Sequence, residues 1–110
     1  MKRAIGGRMI TPIGLGCMNV SWAYAAPPSA DDAARLLNRA LDLGYEHLDT
    51  ARLYGAGANE ALLGSALKGR RGEFFLASKT GLFAEGNKRW VDCRPETIRS
   101  SCEASLAALG

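Results

Sequence analysis

Asp49, Tyr54 and Lys79 are the residues whose types and spacing could do chemistry together. Asp49 closes the run Tyr45-Glu46-His47-Leu48-Asp49, Lys79 follows Phe74-Phe75-Leu76-Ala77-Ser78, and Tyr54 stands five positions beyond Asp49. In parallel α/β architectures the strand ends carry the reacting groups. A carboxylate at the end of a buried strand needs a partner to keep its charge. Adjacent paired strands lie about 4.8 Å apart, so an Asp49–Lys79 ion pair is geometrically reasonable. The alternative is a helix-capping Asp and an exposed strand-end Lys. A phenol titrates near ~10, and a close ammonium favours the phenolate. Tyr54 beside Lys79 could therefore protonate a carbonyl oxygen while a cofactor delivers hydride to the carbon.

Other chemistries lack their residues. Four positions after Tyr54 stands Ala58, so the Tyr-x-x-x-Lys pair of short-chain dehydrogenases is absent. Gly14-Leu15-Gly16-Cys17-Met18-Asn19 gives G-x-G-x-x-N instead of the dinucleotide fingerprint, and no phosphate loop of the G-x-x-x-x-G-K-S/T type occurs. These glycines read as a tight strand exit. His47, the single histidine, reads as a packed, hydrogen-bonded interior strand residue, and Cys17, Cys93 and Cys102 show no zinc spacing and no C-x-x-C pair. No metal site is expected, and the cysteines read as free thiols.

The elements that must position these groups alternate along the chain. A short hairpin around Arg3 to Met9 turns at Gly6-Gly7, and Ile13 to Met18 reads as a buried strand with its exit. Ser29 can cap a helix whose Ala33, Leu36, Leu37, Ala40 and Leu41 recur at helical spacing up to Gly44. Tyr45 to Asp49 is the second strand. After the Gly55-Ala56-Gly57 loop, Asn59 is placed to cap a helix with the stripe Leu62, Leu63, Ala66 and Leu67. Phe74 to Ala77 is the third strand, a long loop covers Thr80 to Arg94, and Pro95 opens a last helix. That helix presents Ile98, Cys102, Ser105, Leu106 and Leu109 on one side. The order β-α-β-α-β-α leaves two parents, an open doubly wound sheet or a (β/α)8 barrel.

A chain of 110 residues, 47% hydrophobic and 23% charged, is ordinary globular material for one small domain. The net charge of +3 is mild and its basic residues are dispersed, so no nucleic-acid partner is expected. No apolar run approaches a membrane span, and the basic N-terminus lacks the apolar stretch of a signal peptide. The expected setting is soluble and cytoplasmic.

Taken together, the motifs resemble the aldo-keto reductase family, in its bacterial and plant branch. The matching stretches are Gly14 to Met18, Ala40 to Gly44, Leu48 to Gly55, Asn59 to Gly64, Ala77 to Lys79, and Arg94-Pro95-Glu96 through Ser105 to Gly110. The resemblance implies an α/β fold: residues 1–110 form the N-terminal three β/α units of a (β/α)8 TIM-type barrel, an incomplete one. It also implies NADPH-dependent reduction of aldehydes and ketones. By position, Tyr54 would be the general acid, Lys79 the group that lowers its pKa, and Asp49 the partner of Lys79 as well as a residue bordering the cofactor.

The family's catalytic histidine ends a fourth strand, which would follow Gly110, and His47 precedes the Asp instead. The main phosphate-binding loops of such a barrel usually follow strands seven and eight. A truncated oxidoreductase, inactive as the isolated chain, is the expectation. The alternative is a noncatalytic relict or association module that pairs through its open sheet edges.

Overall fold

Gly6 and Gly7, both at positive φ, turn the N-terminus back on itself and join β1 (Arg3–Ile5) to β2 (Arg8–Ile10) as an antiparallel hairpin. The computed structural model describes residues 1–110. Beyond the hairpin comes β3 (Leu15–Gly16), shorter than the expected strand because Met18–Val20 closes into a 3-10 turn.

Ser29 caps α1 (Ala30–Asp42): its hydroxyl accepts from the Asp32 amide at 3.1 Å. Ala33, Leu37, Ala40 and Leu41 are buried along one face, while Leu36 is exposed. β4 (His47–Asp49) follows, then α2 (Ala58–Ala66), β5 (Phe75–Ala77), and α3 (Pro95–Leu109) after an intervening hairpin.

β3, β4 and β5 form one parallel sheet in that order. Leu15, Leu48 and Leu76 are aligned across it, and they meet Leu37 and Leu41 of α1, Leu63 of α2, Leu67 just beyond it, and Leu109 of α3 in one apolar core. The helices thus cover a single face. Side chains alternate along strands, so the next row, Gly16–Asp49–Ala77, turns to the opposite face. A register slip of one residue would drive Asp49 into the leucine core, which fixes the pairing.

Three local expectations are corrected. Asn59 does not cap α2: Gly57 at φ 98° is the N-cap, no side chain caps it, and Asn59 is buried. Thr80 to Arg94 is not a plain loop, because β6 (Leu82–Glu85) and β7 (Lys88–Val91) pair antiparallel around Gly86-Asn87. In α3 the buried residue is Ser101, while Cys102 and Leu106 face solvent. Ser101 accepts from the Thr80 hydroxyl at 2.5 Å, while Ile98, Ser105 and Leu109 of the expected stripe are half-buried.

Close packing explains several glycines. A Cβ at Gly14 would sit 2.7 Å from His47 Nδ1, so the first glycine of G-x-G makes room for the imidazole. That ring stacks edge-on against Phe75, with centroids 5.6 Å apart. Gly64 is tighter still: a Cβ there would overlap the Ala108 carbonyl oxygen and lie 3.0 Å from its carbon. α2 and α3 can meet so closely only because Gly64 has no side chain.

Candidate active site

Backbone hydrogen bonds carry the sheet past its strands and fix the segments that hold the polar groups. Cys17 donates to the Asp49 carbonyl at 2.9 Å, Thr50 to that of Ala77 at 2.9 Å, and Arg52 to that of Lys79 at 3.0 Å. Asp49 and Lys79 are thereby set side by side at the C-terminal ends of β4 and β5. The Lys79 ammonium forms an ion pair with Asp49 Oδ1 and donates to the Thr50 carbonyl at 2.8 Å. The Lys79 and Asp49 side chains are 53% and 39% exposed, so the pair opens to the surface.

Tyr54 completes the cluster, with its ring centroid 5.4 Å from Lys79 Nζ. Partial burial pulls the Lys79 ammonium down, but its hydrogen bond and attraction to Asp49, with Tyr54 adding to both effects, hold it above the ordinary lysine value. Lys79 is a cation at any neutral pH. Trp22 stacks on Tyr54 at a centroid distance of 6.0 Å. Beyond Tyr54, Gly55, Ala56 and Gly57 all take positive φ, a sharp reversal that brings the chain from the site into α2. Ala56, the one non-glycine among them, holds a conformation that costs of order 1 kcal/mol or more.

Beneath this cluster, α2 supplies two buried polar side chains that the sequence reading missed as site-forming. Asn59 accepts from the Thr50 hydroxyl at 2.5 Å and donates to the Cys17 carbonyl at 2.7 Å and to Ser21 at 2.9 Å. Glu60 accepts from Ser78 at 2.7 Å and from the Arg52 guanidinium at 2.9 Å. Asn59 thus ties the exits of β3 and β4, while Glu60 joins the exit of β4 to Ser78, the residue before Lys79. Adjacent Asn-Glu at the start of an otherwise apolar helix was the available signal.

The remaining candidates stand apart. His47, at the start of β4, is packed as expected but not hydrogen-bonded as expected: its buried Nε2 has no partner, because the ring lies against Phe75 and Gly14, which offer it no polar side chain. Cys17 is buried, and loss of solvation pushes its thiol up to about 11 despite the Asp49 backbone contact, so it is no nucleophile at neutral pH. No group of three His, Cys, Asp or Glu side chains could hold a metal ion. No helix is long and apolar enough to cross a membrane.

The profile of the Aldo/keto reductase family matches residues 12–110, nearly the whole chain. The chain belongs to the aldo-keto reductase family. It is 35% identical to a probable aldo-keto reductase of Glycine max over 99% of its length, covering 32% of that relative. Among solved structures, the holo form of an aldo-keto reductase from Bacillus halodurans superposes with a TM-score of 0.85 at 35% identity. That match covers 98% of this chain and 36% of the other. An aldo/keto reductase from Klebsiella pneumoniae, solved with NADP and acetate, matches at 26% identity and a TM-score of 0.69, over 92% and 32% of the two chains. The chain spans about a third of the length of the aldo-keto reductases it matches.

Proposed function

We propose that this chain forms the first three strand–helix units of a (β/α)8 reductase barrel and carries part of an active site that reduces aldehydes and ketones to alcohols with NADPH. The observation that carries the reading is the Asp49–Lys79 ion pair with Tyr54 beside it, at the C-terminal ends of parallel strands. Family membership and the NADP complex of the Klebsiella relative support the cofactor.

The floor beside Asp49 suits a planar ring: its row neighbours are Gly16 and Ala77, and a Cβ at Gly16 would meet nothing within 4 Å. Asp49 would border the cofactor there, with Oδ1 taken by Lys79. When bound, NADPH supplies the hydride that adds to the carbonyl carbon, leaving NADP+. Tyr54 gives its phenolic proton to the carbonyl oxygen and completes the alcohol. The Lys79 ammonium faces the negative charge left on the phenol oxygen until solvent returns a proton. Asp49 holds Lys79 in place, and Asn59 and Glu60 hold the strand exits that carry both. Trp22 and Tyr54 leave an apolar wall for a small carbonyl substrate.

The outer edges of β3 and β5 have no further strand in this sheet. They would take the flanking strands of the closed barrel, or, where those are missing, a second copy. That pairing is the noncatalytic reading. In the full-length protein, Tyr54→Phe should lower kcat for aldehyde reduction at least ~100-fold while NADPH affinity, read by fluorescence titration, changes little, since only the proton donor is removed. Unchanged kcat would refute the assignment.

A further inference from the structure

The reductase reading leaves the substrate class open, and the β6–β7 hairpin bears on it. Arg89 on β7 reaches over Trp22, its guanidinium carbon 5.6 Å from the ring centroid, and Trp22 in turn stacks on Tyr54. Arg89 is exposed and forms no salt bridge, as is true of several other arginines, but it alone among them lies against the tryptophan that stacks on Tyr54. Trp22, Leu53, Ala56, Ala84 and Arg89 line one cavity, in which Arg89 is the only charged residue. The segment carrying Trp22 is also strained: Ala23 and Tyr24 both take positive φ, at 65° and 68°. Such conformations concentrate at ligand-binding segments.

We propose, on the basis of the reductase reading above, that Arg89 selects carbonyl substrates bearing a carboxylate a few carbons from the reacting carbon. Trp22 holds the guanidinium in place by cation–π contact and leaves its planar donor fork without an acceptor. That fork matches a carboxylate bidentately. The two ring separations, 6.0 and 5.6 Å, bound the reach from Tyr54 to Arg89, and Leu53, which lines both the cavity of Tyr54 and Lys79 and that of Arg89, joins the two along a path that a short aliphatic chain can follow. Substrate would enter with its carbonyl at the Tyr54 hydroxyl and its acid at the hairpin.

The test compares pentanal with 5-oxopentanoate, aldehydes of equal length that differ in the terminal carboxylate. The full-length protein should show a higher kcat/KM for the acid, and Arg89→Gln should reduce the ratio of the two values about tenfold, the worth of one charge-assisted contact. Lys88→Gln removes the same charge from the neighbouring, oppositely directed position and should leave the ratio unchanged. An equal fall in the ratio for both variants would mean general electrostatic attraction and would overturn the proposal. So would an unaltered ratio in Arg89→Gln.

A second measurement does not depend on turnover. The Trp22 emission is read as the difference between the full-length protein and its Trp22→Phe variant, and 5-oxopentanoate should quench that component saturably in the low millimolar range, with Arg89→Gln abolishing the response. Absence of saturable quenching would refute the carboxylate site even in an active enzyme. Saturable quenching with no reduction of either aldehyde would keep the site and refute the reductase reading.

Discussion

Replacing Gly64 with alanine sets two effects of opposite sign against each other, and the structure decides which is larger. Glycine in a helix interior is about 1 kcal/mol less favourable than alanine, so on intrinsic preference Gly64→Ala should stabilise α2. The new Cβ, however, would overlap the Ala108 carbonyl oxygen and lie 3.0 Å from its carbon and 3.4 Å from the Leu109 Cα. All three atoms are backbone, so no side-chain rotation relieves the contact. The last turn of α3 would have to retreat by more than ~1 Å, opening the seam where Leu109 packs against the core, and overpacking of this kind costs about 1–3 kcal/mol. With a rigid partner the upper half of that range applies, leaving a net loss of about 1–2 kcal/mol after the ~1 kcal/mol helix gain. Urea unfolding of the full-length protein reads this directly: at a slope near ~2 kcal/mol/M the midpoint falls by about 0.5–1 M. Gly72→Ala is the control, since a Cβ there meets nothing within 4 Å and Gly72 does not lie at positive φ. A Gly64→Ala midpoint at or above that of the parent would show that the helices separate freely and that the close approach is not a constraint.

Two further outcomes are expected. Asn59→Ala strips partners from the buried Thr50 hydroxyl and Cys17 carbonyl, and should cost about 2–4 kcal/mol by urea unfolding; a loss below ~1 kcal/mol would show that these groups find other partners. Stability should fall at alkaline pH: the folded state keeps the Cys17 proton up to about 11 against an ordinary 9.0, so it binds more protons than the unfolded chain between those values. The Lys79 contribution is likewise lost as pH rises through its raised pKa. Urea midpoints between pH ~8 and ~11 check the slope, which Cys17→Ala should flatten; a flat parent profile would refute it.

What could be read from the sequence was what depends on position along a strand or in a turn. Asp49 and Lys79 could be placed at neighbouring strand ends because period-two alternation and the glycines after each helix bound those strands closely. Ser29 and Pro95 behave as local signals say they should, since a cap or a fixed φ acts within one turn. Asn59 failed for the complementary reason. Its residue type suits a cap, but its partners Cys17 and Ser21 lie about forty positions away, and only the assembled sheet brings them together. The β6–β7 hairpin was legible and overlooked: Gly86-Asn87 between two four-residue runs is a two-residue turn signal, masked by the charges around it. Ser101 could not have been chosen over Cys102 as the inward residue, because its only advantage is a hydroxyl facing Thr80 across twenty-one positions.

The way α2 begins has a consequence for how the molecule breathes. Helix starts ordinarily fray first, but here the opening turn has no side-chain cap, and its two polar side chains are committed to other segments. Unwinding it would strand Thr50, Cys17, Arg52 and Ser78 at the same moment. Local opening at this point therefore becomes opening of all three strand exits together, and amides along Ala58 to Leu62 should exchange with solvent at the rate of the sheet and not at the rate of a helix end. The mouth of the site inherits its rigidity from the central sheet, and it cannot be loosened for a bulkier substrate by small changes at the helix start alone.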